Sequence, residues 1–319
     1  MRHKPQLLLL GIIIIHIGLQ AQTIERYYDY AGKPCEPGDA LSYSLVIRTD
    51  TGWYRRDYYT REKKLQMAGL YQDRDCKIPN GSFFYFYPNK RLSGSGKFAG
   101  GKREGIWLRY HPNSMLQDST TFHNDQAVGL RLSWHSNGYP SDSTVYRPDG
   151  SGAGISWFNN GELSAAGFFS AGRRPDKKWL YFHKNGKPSC SEVYDKGRLI
   201  SRQHFDESGT LLTDTTDIET AATFPGGAEA WSKYLQKKLY FPPQYKFRNG
   251  QKAVVVVSFA ISEEGNVEDV YVSTSLHPDF DRIAERVITQ SPKWIPALSK
   301  NRHIRSYRKQ PVAFGQKII

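Results

Sequence analysis

The side chains that could do chemistry are spread along the chain, and their spacing decides what they can do. His111 and His135 lie 24 residues apart, a pair that would suit a metal if the fold brought the rings together. Each, however, follows a large aromatic residue and precedes an asparagine by two positions. Both therefore occupy one recurring place in a repeat, where a solvent-facing turn residue is expected instead. Gly150-Ser151-Gly152-Ala153-Gly154 has the glycine content of a phosphate cradle, yet it falls between one strand-like run and the next and reads as an irregular turn. No His-Glu-x-x-His, Gly-x-Ser-x-Gly, phosphate-loop or paired-cysteine metal spacing occurs. Catalysis, a metal and a cofactor are not expected. What remains is a binding surface: Arg305, Tyr307 and Lys309 alternate with a period of two, so in an extended segment their side chains leave one face together.

The elements that would position that surface are legible from Phe224 to Phe314. Phe224-Pro225-Gly226-Gly227 sets a turn, and Ala228 to Leu239 carries Ala230, Trp231, Tyr234, Leu235 and Leu239 at helical spacing. Phe241-Pro242-Pro243 stops that helix. Val254 to Ile261 then alternates Val255, Val257, Phe259 and Ile261 against smaller partners, the period of a strand. Glu263-Glu264-Gly265-Asn266 reads as a tight turn that returns the chain through Val267 to Ser273 as a hairpin. A second helix opens at Pro278 and Asp279 and runs to Gln290 with an apolar stripe of Phe280, Ile283, Ala284, Val287 and Ile288. An extended segment, Ile304 to Phe314, ends the domain.

This order of helix, hairpin, helix and strand resembles the C-terminal domain of the TonB family of energy transducers. The marks are Phe241-Pro242, the hairpin tip Glu264-Gly265-Asn266-Val267, the helix containing Asp281, Ala284 and Val287, and Trp294-Ile295-Pro296. The resemblance implies a non-enzymatic module that captures an extended peptide of a protein partner, an outer-membrane TonB-dependent transporter among them, by adding a strand to a sheet edge. It places that edge at Ile304 to Phe314 and gives Arg305, Tyr307 and Lys309 the partner-binding role. A solubilised but unused edge would look the same in sequence.

Ahead of this domain the chain repeats. Asn89, Asn113, Asn137, Asn160, Asn185 and Ser208 recur at intervals of 23 to 25, each preceded by aromatics such as Trp134 or Phe182 and followed, from Asn137 onward, by glycine. Each unit reads as two short strands joined by a primed Asn-Gly turn, and single hairpins of this size need neighbours to be stable. The units resemble the MORN-like repeats of the YwqK antitoxin-type family, which implies an elongated β-architecture and little chemistry. Asp118-Ser119-Thr120 and Asp142-Ser143-Thr144 recur in register, with Asp214-Thr215-Thr216 beyond them, and resemble a bacterial O-glycosylation sequon. Polar residues lining one exposed strand face account for them equally.

The chain opens on Met1-Arg2-His3-Lys4 and an apolar run from Leu7 to Leu19, too short for the roughly 20 residues of a spanning helix and followed by Ala21. A cleaved secretory signal is expected, with an uncleaved inner-membrane anchor as the alternative. The formal charge of +13 would point to nucleic acid in a cytosolic protein. In an exported one it points to an anionic envelope polymer or to a solubilising surface, so nucleic acid is not expected. Cys35 and Cys76 could pair in an oxidising compartment, leaving Cys190 free.

The expected fold class is α+β, a β-hairpin repeat array followed by a two-helix, three-strand domain. Its divisions are residues 1–21 as signal peptide, 22–56 as lead-in, 57–212 as array, 213–223 as linker and 224–319 as the TonB-like domain. The expected protein is a periplasmic binding protein, linked through the resemblance to transmembrane transport. The array stands where the TonB family has a long proline-rich spacer, which argues against force transmission. A scaffold whose repeats bind an envelope protein or glycan is the alternative.

Overall fold

The computed structural model describes residues 23–29, 32–59, 63–246 and 253–315. The expected signal, residues 1–21, lies outside them. Among the described residues no helix is long and apolar enough to cross a membrane.

From Thr23–Tyr28 to Arg198–His204, fifteen antiparallel strands each pair with their neighbours in sequence and form one continuous meander. Its first three strands are Thr23–Tyr28, Ser42–Thr49 and Gly52–Tyr59, so the segment read as a lead-in extends the sheet. That segment lacks the asparagine mark, and its pairing shows instead in a row of rings, Tyr27 on Tyr43 at 6.1 Å and Tyr43 on Tyr58 at 5.2 Å between centroids. Further along, Phe98 packs edge-on against Trp107 at 4.8 Å and Phe169 against Trp179 at 5.0 Å. Within the meander these rings supply apolar contact along one face.

The turns differ from the expected primed type. In a representative turn the amide of Gly138 bonds the carbonyl of His135 at 2.9 Å and His135 N bonds Tyr139 O at 2.8 Å. Only the fourth residue takes positive φ: Gly138 at 89°, Gly161 at 86°, and Lys90 and Ser114 in the earlier units. This is the type I turn closed by a glycine bulge, and Asn137 has no need of a left-handed backbone. The asparagines recur for their side chains. Asn137 Oδ1 accepts from Tyr139 N at 3.2 Å, while its Nδ2 donates to Asn159 O in the next turn at 2.7 Å. Asn113 and Asn185 reach forward in the same way, to Ser136 O and Glu207 O.

The chain then builds helix α1 (Gly227–Lys238), a three-stranded antiparallel sheet and helix α2 (Pro278–Thr289). The central strand of that sheet, Ala253–Ile261, is flanked by Val267–Thr274 and Ser306–Phe314. Val255, Val257, Phe259, Ile261, Val312 and Phe314 turn one face of the sheet onto Trp231, Phe280, Ile283, Val287 and Ile288 of the helices. Asp281 explains how α2 starts: buried at 8 % exposure, it accepts from Ser275 Oγ and, at 3.0 Å, from Leu276 N. Two marks distant in sequence meet at the hairpin tip, where Gly265 at φ 82° accepts from Trp294 N at 2.9 Å. A Cβ there would stand 2.0 Å from Trp294 O, so the tip and Trp294-Ile295-Pro296 require one another.

The stretch 213–223, expected as a polar linker, is partly fixed. Thr220 and Thr223 bond Leu298 and Ile295 through their backbones at 2.9 Å, and Ala222 and Phe224 are buried. The three cysteines are free thiols. Cys76 sits at φ 57° in a turn with its sulfur toward Arg74 O, and the bridge to Cys35 is not formed.

Candidate partner-binding site

The last strand, Ser306–Phe314, pairs with Ala253–Ile261 from Ser306 opposite Ile261 to Phe314 opposite Ala253. It stands at the end of the sheet order, so among the described residues its other edge carries no strand. Val312 and Phe314 face the helices, and by alternation Tyr307 and Lys309 face away. Both are exposed, Tyr307 at 66 %.

Arg305 is not exposed beside them, although its guanidinium lies 5.7 Å from the Tyr307 ring. It precedes the strand and turns inward to 10 % side-chain exposure, pairing with Glu268 and, at 2.9 Å, with Asp269. The reason is local: Asp269 sits at φ 49° where the hairpin register slips between Ser258 and Ala260. That bulge swings its carboxylate toward Arg305. Arg302–Ile304, which overlaps the expected extended segment only at Ile304, forms a separate ribbon with Ala297–Ser299.

Asp269 also reaches the array. His111 Nδ1 lies 2.9 Å from its Oδ2, and His111 Nε2 lies 2.8 Å from Trp134 O. Burial opposes ionisation of Asp269, but the hydrogen bond from His111 and the charges of Arg305 and His111 outweigh it and hold the carboxyl below the usual range. His111 is 2 % exposed, so the expectation of a solvent-facing turn residue fails. The repeat position has another use. Tyr87 Oη, His111 Nε2, His135 Nε2 and His183 Nε2 each meet the carbonyl that opens the next turn, Tyr110, Trp134, Trp157 and Phe205, at 2.7 to 3.1 Å.

Along this side of the array runs a seam with the C-terminal domain. Tyr87 packs edge-on against Tyr271 at 4.8 Å, and Lys184 pairs with Glu264 of the hairpin tip. Arg302 bonds Ser164 and lies over the rings of Phe158 and Tyr181. Burial pushes its guanidinium down to about 10, still a cation at neutral pH. Asn301 Nδ2 donates to Phe205 O at 2.8 Å. Lys300 Nζ sits 2.9 Å from Glu192, a fully buried carboxylate that Tyr194 and Arg202 also hold. Burial opposes its ionisation too, and the bonds from Lys300 and Tyr194 with the nearby cations bring it below the usual range. The seam covers the second face of the sheet, where Ser258 and Ala260 are buried.

The Asp-Ser-Thr triplets belong to this side as well. Thr120 and Thr144 are buried and donate to Asp118 and Asp142 at 2.8 and 2.9 Å, and Thr216 does the same to Asp214 in the open. Thr120 and Thr144 therefore act as brackets for their aspartates. Asp118 in turn receives Arg131 at 2.8 Å and Ser133 at 3.1 Å.

The C-terminal part is thus an α+β domain: two helices on one face of a small sheet, an unpaired strand edge, and no cluster of His, Cys, Asp and Glu fit for a metal among the described residues. Residues 237–315 match the family described as Gram-negative bacterial TonB protein C-terminal. The match takes in the hairpin, α2 and the edge strand; the array lies outside it. The comparison with curated proteins returned no match.

Proposed function

We propose that the chain is a non-enzymatic protein of the cell envelope whose TonB-like domain binds an extended segment of a protein partner by strand addition, in the service of transport across the outer membrane. The carrying observation is the unpaired edge of Ser306–Phe314, within the matched segment. Backbone groups along that edge would supply the bonds, and Tyr307 and Lys309 the side-chain contacts. Arg305 positions the strand by tying its start to the hairpin. The periplasm is the compartment this reading requires, with the signal cleaved. A photo-crosslinker placed at Lys309 of the full chain should capture an outer-membrane transporter from envelope extracts. Capture of the same partner from Ile106, on the opposite face of the array, and not from Lys309 would reject the reading.

A second reading has its own support. By alternation with Trp107 and Arg131, Ile106 and Leu130 project from the array face turned away from the domain, and with Val145 and Phe168 they stay between 49 and 63 % exposed. Leu130 and Val145 are directly opposite one another. A scaffold whose repeats bind an envelope protein would use that row.

A further inference from the structure

Between the array and the outer face of the three-stranded sheet lies a cleft of about 690 Å³, with Tyr271, Ser258, Tyr307 and Lys309 on the sheet side and Arg109 and Arg131 on the array side. We propose that this cleft selects acidic side chains on the strand added at the neighbouring edge, so that the preferred partner segment is an extended peptide with carboxylates at alternate positions. This rests on the strand-addition reading and specifies its partner.

The argument is one of accessible charge. Arg109 is 58 % and Arg131 34 % exposed at the side chain, and Lys309 is exposed. The nearby carboxylates are largely committed. Asp118 is 7 % exposed beneath Arg109 and Arg131, and Asp269 is spent on Arg305 and His111. Only Asp142, 3.9 Å from Arg131, offers partly open negative charge. A recess whose accessible charge is mainly positive and whose walls are of low dielectric concentrates negative charge.

The direction of approach follows from sheet geometry. Residues of an added strand that lie across from Tyr307 and Lys309 project from the same face as those two. That face is the one overlooking Arg109 and Arg131. Successive residues on it are two apart in the peptide, which sets the alternation.

The test uses the full chain and a nine-residue peptide alternating valine and glutamate, beside a twin with glutamine for glutamate, followed by fluorescence anisotropy. Each exposed ion pair is worth roughly a 1.4- to 5-fold change in affinity, so with two such pairs the glutamate peptide should bind about 2- to 25-fold more tightly, with the advantage shrinking in high salt. Arg109→Gln should reduce that advantage while leaving the twin's affinity unchanged, and Lys309→Gln should weaken the glutamate peptide more than the twin. Because the twin reports on the same strand, a variant that merely unfolds would lose both peptides and is recognised by its melt; the comparison of peptides on the native chain then decides. Equal binding of both peptides, abolished by Tyr307→Pro, would overturn the acidic preference and leave strand addition standing. Binding of neither peptide would overturn both. Equal binding of disordered polyglutamate would overturn the alternation and reduce the cleft to a general polyanion site.

Discussion

His204 illustrates what burial does to a titrating side chain in this array. It is 4 % exposed, and neither ring nitrogen meets a partner among the described residues. Burial, then the charges of Arg202 and Lys300, push its imidazolium below the usual value, and burial does the same for His135. A base depressed in this way stays neutral in the fold while the unfolded chain takes up protons near pH 6.5. Stability is therefore full above that pH and falls as the pH drops below it. Melting temperature should decline between pH 7 and pH 5. His204→Phe forfeits no described hydrogen bond, so it should stabilise by about 1 kcal/mol at pH 5 and flatten the slope; an unchanged slope would mean the ring is not held neutral. At this scale the sequence showed which residues recur and concealed why. Asn137 and His135 were visible by their spacing, but an Asx bond forward to the next turn leaves the same trace as a left-handed backbone.

Among elements, the two helices and the hairpin were readable to within one residue, because Phe280, Ile283, Ala284 and Val287 keep helical spacing and Val255, Val257 and Phe259 keep strand spacing. The last strand was harder. Its alternation continues unbroken through Arg305, and nothing in the local sequence reveals the bulge at Asp269 that draws that side chain in. Within the strand, Pro311 has no amide to donate and sits opposite Val256. Tyr307 shares its parity and Arg308 does not. Tyr307→Pro should abolish peptide capture with little change in the melt. Arg308→Pro should lose a ladder bond to the central strand and cost about 1 to 3 kcal/mol. Paired binding and thermal-melt measurements check both, and an undiminished capture by Tyr307→Pro is incompatible with strand addition. The turns offer a second check: Gly161→Val must take up φ near 86° against the ring of Tyr139, and circular dichroism should show a loss of about 1 to 2 kcal/mol.

For the whole molecule, the consequential contacts are those that join array and domain, and these were the least legible. Alternation in Val254 to Ile261 marked only the face of Val255, Val257, Phe259 and Ile261; the array covers the other, at Ser258 and Ala260. Arg302 is the test position, since its guanidinium is buried between Ser164, Phe158 and Tyr181. Arg302→Ala should raise hydrogen exchange at Ser258 and Ala260 and leave protection in α2 unchanged. Equal protection at all three sites would show that the domain is held without this contact.

The seam also fixes a length. Its array partners are Tyr87, His111, Ser164, Lys184, Glu192 and Phe205, drawn in chain order from hairpins of one meander, and its domain partners belong to the hairpin of the three-stranded sheet and to the ribbon that follows α2. Adjacent strands are about 4.8 Å apart, so one hairpin more or less displaces everything beyond it by about 10 Å. A displacement of that size would part Lys184 from Glu264 while His111 still held Asp269. Repeat arrays ordinarily tolerate gain or loss of units, but here the number of hairpins between His111 and Lys184 works as a ruler cut to the domain that closes on it.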